Sequence, residues 1–270
     1  MKESQGILGR YVKILEALAP ASEGLTLTQV MNTTELPRGT VHRLINALLK
    51  VGYVATFGNR KVYVLGPRLL RLLFLGVAPM SVSLVARPIL EELVSQFGET
   101  AFLAQLSGNT VDSVVMETPD YEGQTHVQPG RAMPINAAAS AKAIFAFQDK
   151  ALVDEVLSAP LVKYTKNTRV SVDAVRADLA QVERQGYAVC ADELDPGVLS
   201  YACPVHIEGV GIIYSVGVVG LSERLKEHSP KAIISALQEK AQAFSRNLRN
   251  RLSGPILGDI SELAKERPRK

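Results

Sequence analysis

The stretch from Leu36 to Leu65 constrains the fold most. After Leu36-Pro37, apolar residues fall at Val41, Leu44, Ile45, Leu48 and Leu49, a spacing that a helix gathers onto one face. Proline suits the first turn of a helix, whose early donors have no partner inside it, and Gly52 is a stop just past Lys50. Tyr53–Phe57 and Lys61–Leu65 then flank Gly58-Asn59, the turn chemistry of a two-stranded hairpin. Upstream, Ile7, Val12, Ile14, Leu15 and Leu18 approximate helical spacing up to Ala19-Pro20. After the loop Ala21–Gly24, Thr26 or Thr28 can cap a short helix carrying Val30 and Met31, with a break at Asn32–Thr34. Three short helices and a hairpin predict a winged helix-turn-helix, in which the third helix enters the DNA major groove.

The charge is distributed accordingly. The formal net charge is only +3, but residues 1 to 80 hold ten Lys or Arg against four Asp or Glu, and residues 81 to 270 hold 20 against 23. A basic segment followed by a mildly acidic one fits a polyanion-binding module joined to something else. The outward side of the third helix carries Arg38, Gly39, Thr40, His42, Arg43 and Asn46, with no carboxylate among them, and the wing tip adds Arg60 and Lys61. These residues, with Thr26, are the expected DNA contacts, the wing cations meeting phosphates.

Beyond residue 66, Pro67 to about Val77 has helical spacing and predicts a linker helix over 67–80, interrupted at Ala78-Pro79-Met80. A new helix begins near Val82 and its stretch Val85 to Phe97 is followed by strands Glu99–Ser107 and Thr110–Glu117 around Gly108-Asn109. Arg131–Asn136, a helix Ser140–Phe147 and a helix Asp173–Gln185 come next. Strands Tyr187–Asp192, Leu199–Ile207 and Gly211–Val219 and a helix Pro230–Leu252 complete the pattern. The expected fold class is α+β in two domains, the second an antiparallel sheet covered by helices. Expected domains are 1–66, the linker helix 67–80, 81–252, and a mobile basic tail 253–270.

Several functions are disfavoured. No apolar run reaches the roughly 20 residues of a membrane span, and the first ten residues lack the order of a secretory signal, so a cytoplasmic location without membrane partners is expected. Cys190 and Cys203 are too few for a disulfide framework and fit no metal spacing, so no metal or cofactor is expected. They read as buried thiols, with a redox sensor as the alternative. No nucleophile elbow, HExxH helix or phosphate loop is present, and His42, His126, His206 and His228 lie in different elements, so an enzyme is not expected.

The runs Gly24–Thr28, Leu36–Leu44, Gly52–Val54 and Tyr63–Leu70 resemble the DNA-binding domain of IclR-family transcriptional regulators. The resemblance continues through Ala86–Leu93, Met133–Ala143, Gly186–Ala188, Asp192–Val198 and Ala202–Val205, and covers roughly residues 6 to 250. It implies a dimer, or dimer of dimers, that binds an operator in double-stranded DNA. It also implies a GAF-like second domain that takes a small organic effector, and a repressor is the expected mode. By resemblance the effector site comprises Met133, Ala139, Ser140, Ala141, Lys142, Cys190, Ser200, Gly217 and Val219. Amides at Ser140–Ala143, opening a helix, favour an acidic group. The chain departs from members with small polar-acid ligands: Cys190 replaces an Asp, Ser200 a Cys, and Gly217 and Val219 two serines. Fewer hydrogen-bonding groups imply an aromatic or otherwise hydrophobic carboxylate. The competing expectation is a small-molecule enzyme whose helix-turn-helix serves protein contact.

Overall fold

The structure is a computed structural model and describes residues 6–21, 23–57, 62–69, 71–72, 79–120 and 132–252. It divides into two compact units, the first ending at residue 77 and the second comprising the rest apart from 208–211.

In the first unit, α1 (Ile7–Leu18), α2 (Leu27–Thr34) and α3 (Arg38–Lys50) precede the antiparallel strands β1 (Val54–Phe57) and β2 (Val62–Leu65). Of the two candidate caps, Thr26 is the one used: its hydroxyl accepts from the Gln29 amide, and Gln29 Oε1 accepts from the Thr26 amide at 2.8 Å. Such a reciprocal cap satisfies two donors that the helix start leaves open. Val41, Leu44, Ile45 and Leu48 of α3 are buried with Ile14, Leu18, Val30, Val54 and Tyr63, while Leu49 packs half-buried at the margin. An isolated bridge between Leu25 and Tyr63 ties the loop before α2 to the hairpin. The hairpin tip, including Gly58-Asn59, Arg60 and Lys61, lies outside the described residues.

The second unit begins with α4 (Pro79–Phe97), which starts at Pro79, a few residues before the start expected near Val82. Proline suits this first helical position, whose amide has no partner inside the helix. Residues 67–69 and 71–72 are helical, and the rest of the expected linker to residue 78 is outside the described residues. Next come β3 (Thr100–Ser107), β4 (Thr110–Glu117), α5 (Ala139–Phe145), α6 (Lys150–Leu157), α7 (Val172–Gln185), β5 (Ala188–Ala191) and β6 (Val198–Ile207). The chain closes with β7 (Gly211–Leu221), α8 (Ser222–Leu225) and α9 (Pro230–Leu252). The sequence reading lacked α6, although Asp149 caps it through the Leu152 amide. It also opened α7 at Asp173, whereas Ser171 caps a helix starting at Val172.

The five strands are ordered β4-β3-β7-β6-β5, with antiparallel pairing of β3 with β4 and β7 and of β5 with β6. Successive strand residues face opposite sides. On β7 the Tyr214 ring meets Phe244 of α9, and the neighbouring Ser215 hydroxyl donates to Ser140 O of α5. Hence α9 covers one face and α5 the other. The α5 face holds the cavity described next.

Candidate functional site

On α3, Arg38, Gly39, His42, Arg43 and Asn46 are exposed and Thr40 is half-buried, so the residues expected to meet DNA share the solvent side opposite the core. Asn46 Nδ2 lies 3.3 Å from His42 Nδ1, one helical turn away, which aligns the two side chains. Gly39 has no neighbour within 4 Å of where a Cβ would stand. Helical glycine costs about 1 kcal/mol relative to alanine, and nothing in this unit requires it. The Thr26 hydroxyl is engaged at the start of α2. Arg60 and Lys61 fall outside the described residues.

Between α5 and the sheet lies a cavity of about 30 Å3 that opens to the surface and is mostly apolar. Six residues expected at the effector site line it: Met133, Ala139, Ser140, Cys190, Ser200 and Val219. Phe102, Ser113, Ala138, Leu194, Asp195 and Val198 complete the wall, and the sequence reading missed all six. Ser113 carried a legible signal. It pairs with Ala104 as Val111 pairs with Leu106, so strand alternation from Val111 puts it on a buried side where an apolar residue is the norm.

Ala141, Lys142 and Gly217 are not among the lining residues. On a helix, residues two apart point about 200° from one another, so Ser140 and Lys142 cannot face the same space. Lys142 is fully buried on the other side, its Nζ 2.5 Å from Glu193 Oε2 and 2.9 Å from Asp178 Oδ2. Arg169 reaches the same Glu193 oxygen at 2.6 Å, giving two cations and two carboxylates in one cluster. The Lys142 ammonium is therefore held by carboxylates of the protein and not by a group in the cavity. The anion seat shrinks as well: the Lys142 amide donates to Ala138 O, leaving Ser140 and Ala141 as the amides of that run at open helix-start positions.

Gly217 pairs with Phe102 across β3 and β7, and a Cβ there would stand 2.4 Å from the Phe102 ring and 2.5 Å from Tyr201 O. The glycine therefore makes room for the ring that walls the cavity. Gly217→Ser is expected to destabilise the protein by about 1–3 kcal/mol through overpacking, read as a lower urea midpoint. An unchanged midpoint would show that the ring relocates without cost.

Both cysteines are buried, in β5 and β6. Burial pushes the Cys190 thiol up, and it pushes Cys203 up to about 12, so both remain protonated near neutral pH. Neither has the electropositive, accessible setting of a redox sensor. Among the described residues no group of three or more His, Cys, Asp or Glu could hold a metal, and no helix is long and apolar enough to cross a membrane.

The family model for the IclR helix-turn-helix domain matches residues 8–56, and that for the bacterial transcriptional regulator IclR C-terminal matches residues 76–246. The chain belongs to the IclR family. IclR-family proteins are DNA-binding transcriptional regulators and not enzymes. The chain is 30% identical over 246 residues to the glycerol operon regulatory protein of Streptomyces griseus, covering 89% of this chain and 95% of that one. It is 26% identical over 245 residues to the DNA-binding transcriptional repressor YiaJ of Escherichia coli, covering 89% and 87%. Among solved structures, an IclR homologue complexed with 4-hydroxybenzoate from Microbacterium hydrocarbonoxydans has the same fold. Its TM-score is 0.59 at 24% identity, over 91% of this chain and 100% of that one.

Proposed function

We propose that this IclR-family regulator is a repressor whose affinity for its operator is set by a small, largely apolar effector bound in the α5 cavity. The observation that carries the DNA half is the exposed face of α3, where Arg38, Arg43 and Asn46 stand with no carboxylate beside them. Arginine and asparagine are the side chains that pair bidentately with guanine and adenine edges. Thr40 and His42 supply further polar contacts, Gly39 allows close approach, and Arg60, Lys61 and Arg68 neutralise phosphates. The Thr26 hydroxyl serves α2, and its contribution to DNA binding is to seat that helix. The DNA-binding domain takes residues 1–66, the effector domain 81–252, and residues 67–80 join them.

The repressor reading follows the one named for YiaJ. Self-association as a dimer, or a dimer of dimers, is supported by Ile7, Leu8 and Val12, three large apolar side chains exposed on α1. The apolar wall of the cavity supports a hydrophobic effector, and 4-hydroxybenzoate in the Microbacterium relative is an aromatic carboxylate. A carboxylate in this chain would rely on the Ser140 and Ala141 amides. Whatever effector binds must shift operator affinity by the same factor that DNA shifts its own.

Fluorescence anisotropy of a labelled duplex from upstream of the protein's own gene, compared with unrelated DNA across a salt series, tests this reading. Sequence-selective affinity that falls steeply with salt is the expected result. Selectivity absent at every salt concentration, with the protein folded, would remove it.

A further inference from the structure

We propose that Ser113 is the group that recognises the effector, and that the effector carries a hydroxyl on an otherwise apolar body; this rests on the α5 cavity being the effector site. The Ser113 side chain lines the cavity, is 1% exposed, and its Oγ has no hydrogen-bond partner. Buried hydroxyls are nearly always paired, and an orphan on a cavity wall indicates a partner that arrives from outside the chain. Water suits this end poorly, because a buried water needs two to four polar neighbours and the lining near Ser113 includes Phe102 and Met133.

The opposite wall narrows the chemistry. Ser200 already donates its proton to Val218 O at 3.0 Å, so it offers lone pairs to the cavity, and Asp195 is a further residue of that lining. Among the described residues no Lys, Arg or His lines the cavity, and the ammonium of Lys142 is held by Glu193 and Asp178. Acceptors at this end favour a ligand group that brings its own proton, while the Ser140 and Ala141 amides are the donors that an acidic group would use. A hydroxyl brings its own proton, and at Ser113 it can donate or accept. Ser113 lies on β4 and Ser200 on β6, three strand spacings apart in the order β4-β3-β7-β6, so a single-ring body reaches one of these ends at a time.

Isothermal titration of the full chain with matched probes tests this: toluene against the three cresols, and benzoate against the three hydroxybenzoates. Wild type should bind at least one hydroxylated probe about tenfold tighter than its parent, and Ser113→Ala should erase that preference. Removing an unpartnered buried hydroxyl should leave the ligand-free melting temperature unchanged or raised, whereas a structural serine would lower it. Val219→Phe, which fills the cavity, should weaken every probe. If Val219→Phe weakens binding but the hydroxyl preference survives in Ser113→Ala, the role of Ser113 is overturned and the cavity reading stands. If Val219→Phe leaves binding intact, the cavity reading falls and the proposal with it. Absence of binding by every probe to wild type overturns the hydroxylated single-ring class.

Discussion

Replacing Arg43 with alanine is expected to weaken operator binding by about 1–3 kcal/mol, roughly 5- to 150-fold, while leaving effector affinity unchanged. Arg43 is exposed on α3 between His42 and Asn46 on the side of the helix away from the core, so its loss leaves the packing of Val41, Leu44 and Ile45 untouched. The deficit should be sequence-dependent. A base-reading arginine costs affinity at one position of the operator and relaxes the preference there. A phosphate-binding one weakens all duplexes alike and lowers the salt slope by about one. Lys50, exposed at the last turn of the same helix, is the internal comparison, since recognition helices read bases with their N-terminal residues. Equal operator affinity of wild type and Arg43→Ala, by anisotropy at matched salt, would remove Arg43 from the contact set.

The first unit was legible because its signals are local. An apolar stripe of period 3.6, a proline before a helix and a glycine after it act within a few residues, and α3 appears within two residues of its expected limits. The antiparallel sheet was legible in kind, through alternation and Gly108-Asn109, but not in order: β7 between β3 and β6 is a long-range choice. The cavity was legible by half. Met133, Ser140 and Cys190 were placed by resemblance, whereas Phe102 and Leu194 reach it through strand register and the loop after β5, which one sequence does not disclose. Lys142 and Ser113 mark a different failure. Helical periodicity already sets Lys142 apart from Ser140, and strand alternation already puts Ser113 inside.

Lys142→Met should cost about 3–5 kcal/mol, because it removes the ammonium and leaves the buried Glu193 and half-buried Asp178 with Arg169 alone. The Arg169 side chain is 37% exposed and stands 3.5 Å from Asp178, so water screens the compensation it can give. In a domain of this size the loss corresponds to a melting temperature lower by about 10 °C, measurable by circular dichroism. The cause is an uncompensated charge, not lost volume, since methionine fills much the same space. Adding Glu193→Gln to Lys142→Met should therefore recover part of the stability, whereas Glu193→Gln alone should destabilise. The cluster also tethers the loop after β5: Thr165 and Thr168 donate to the carbonyls of Asp192 and Glu193, each at 2.6 Å, and this loop carries Leu194 and Asp195 to the cavity. Below its melting temperature Lys142→Met should thus bind effector more weakly without having lost a ligand contact. A melting temperature within 2 °C of wild type would show that the cluster contributes no net stability, and unchanged effector affinity would show that the loop is held by its threonines alone.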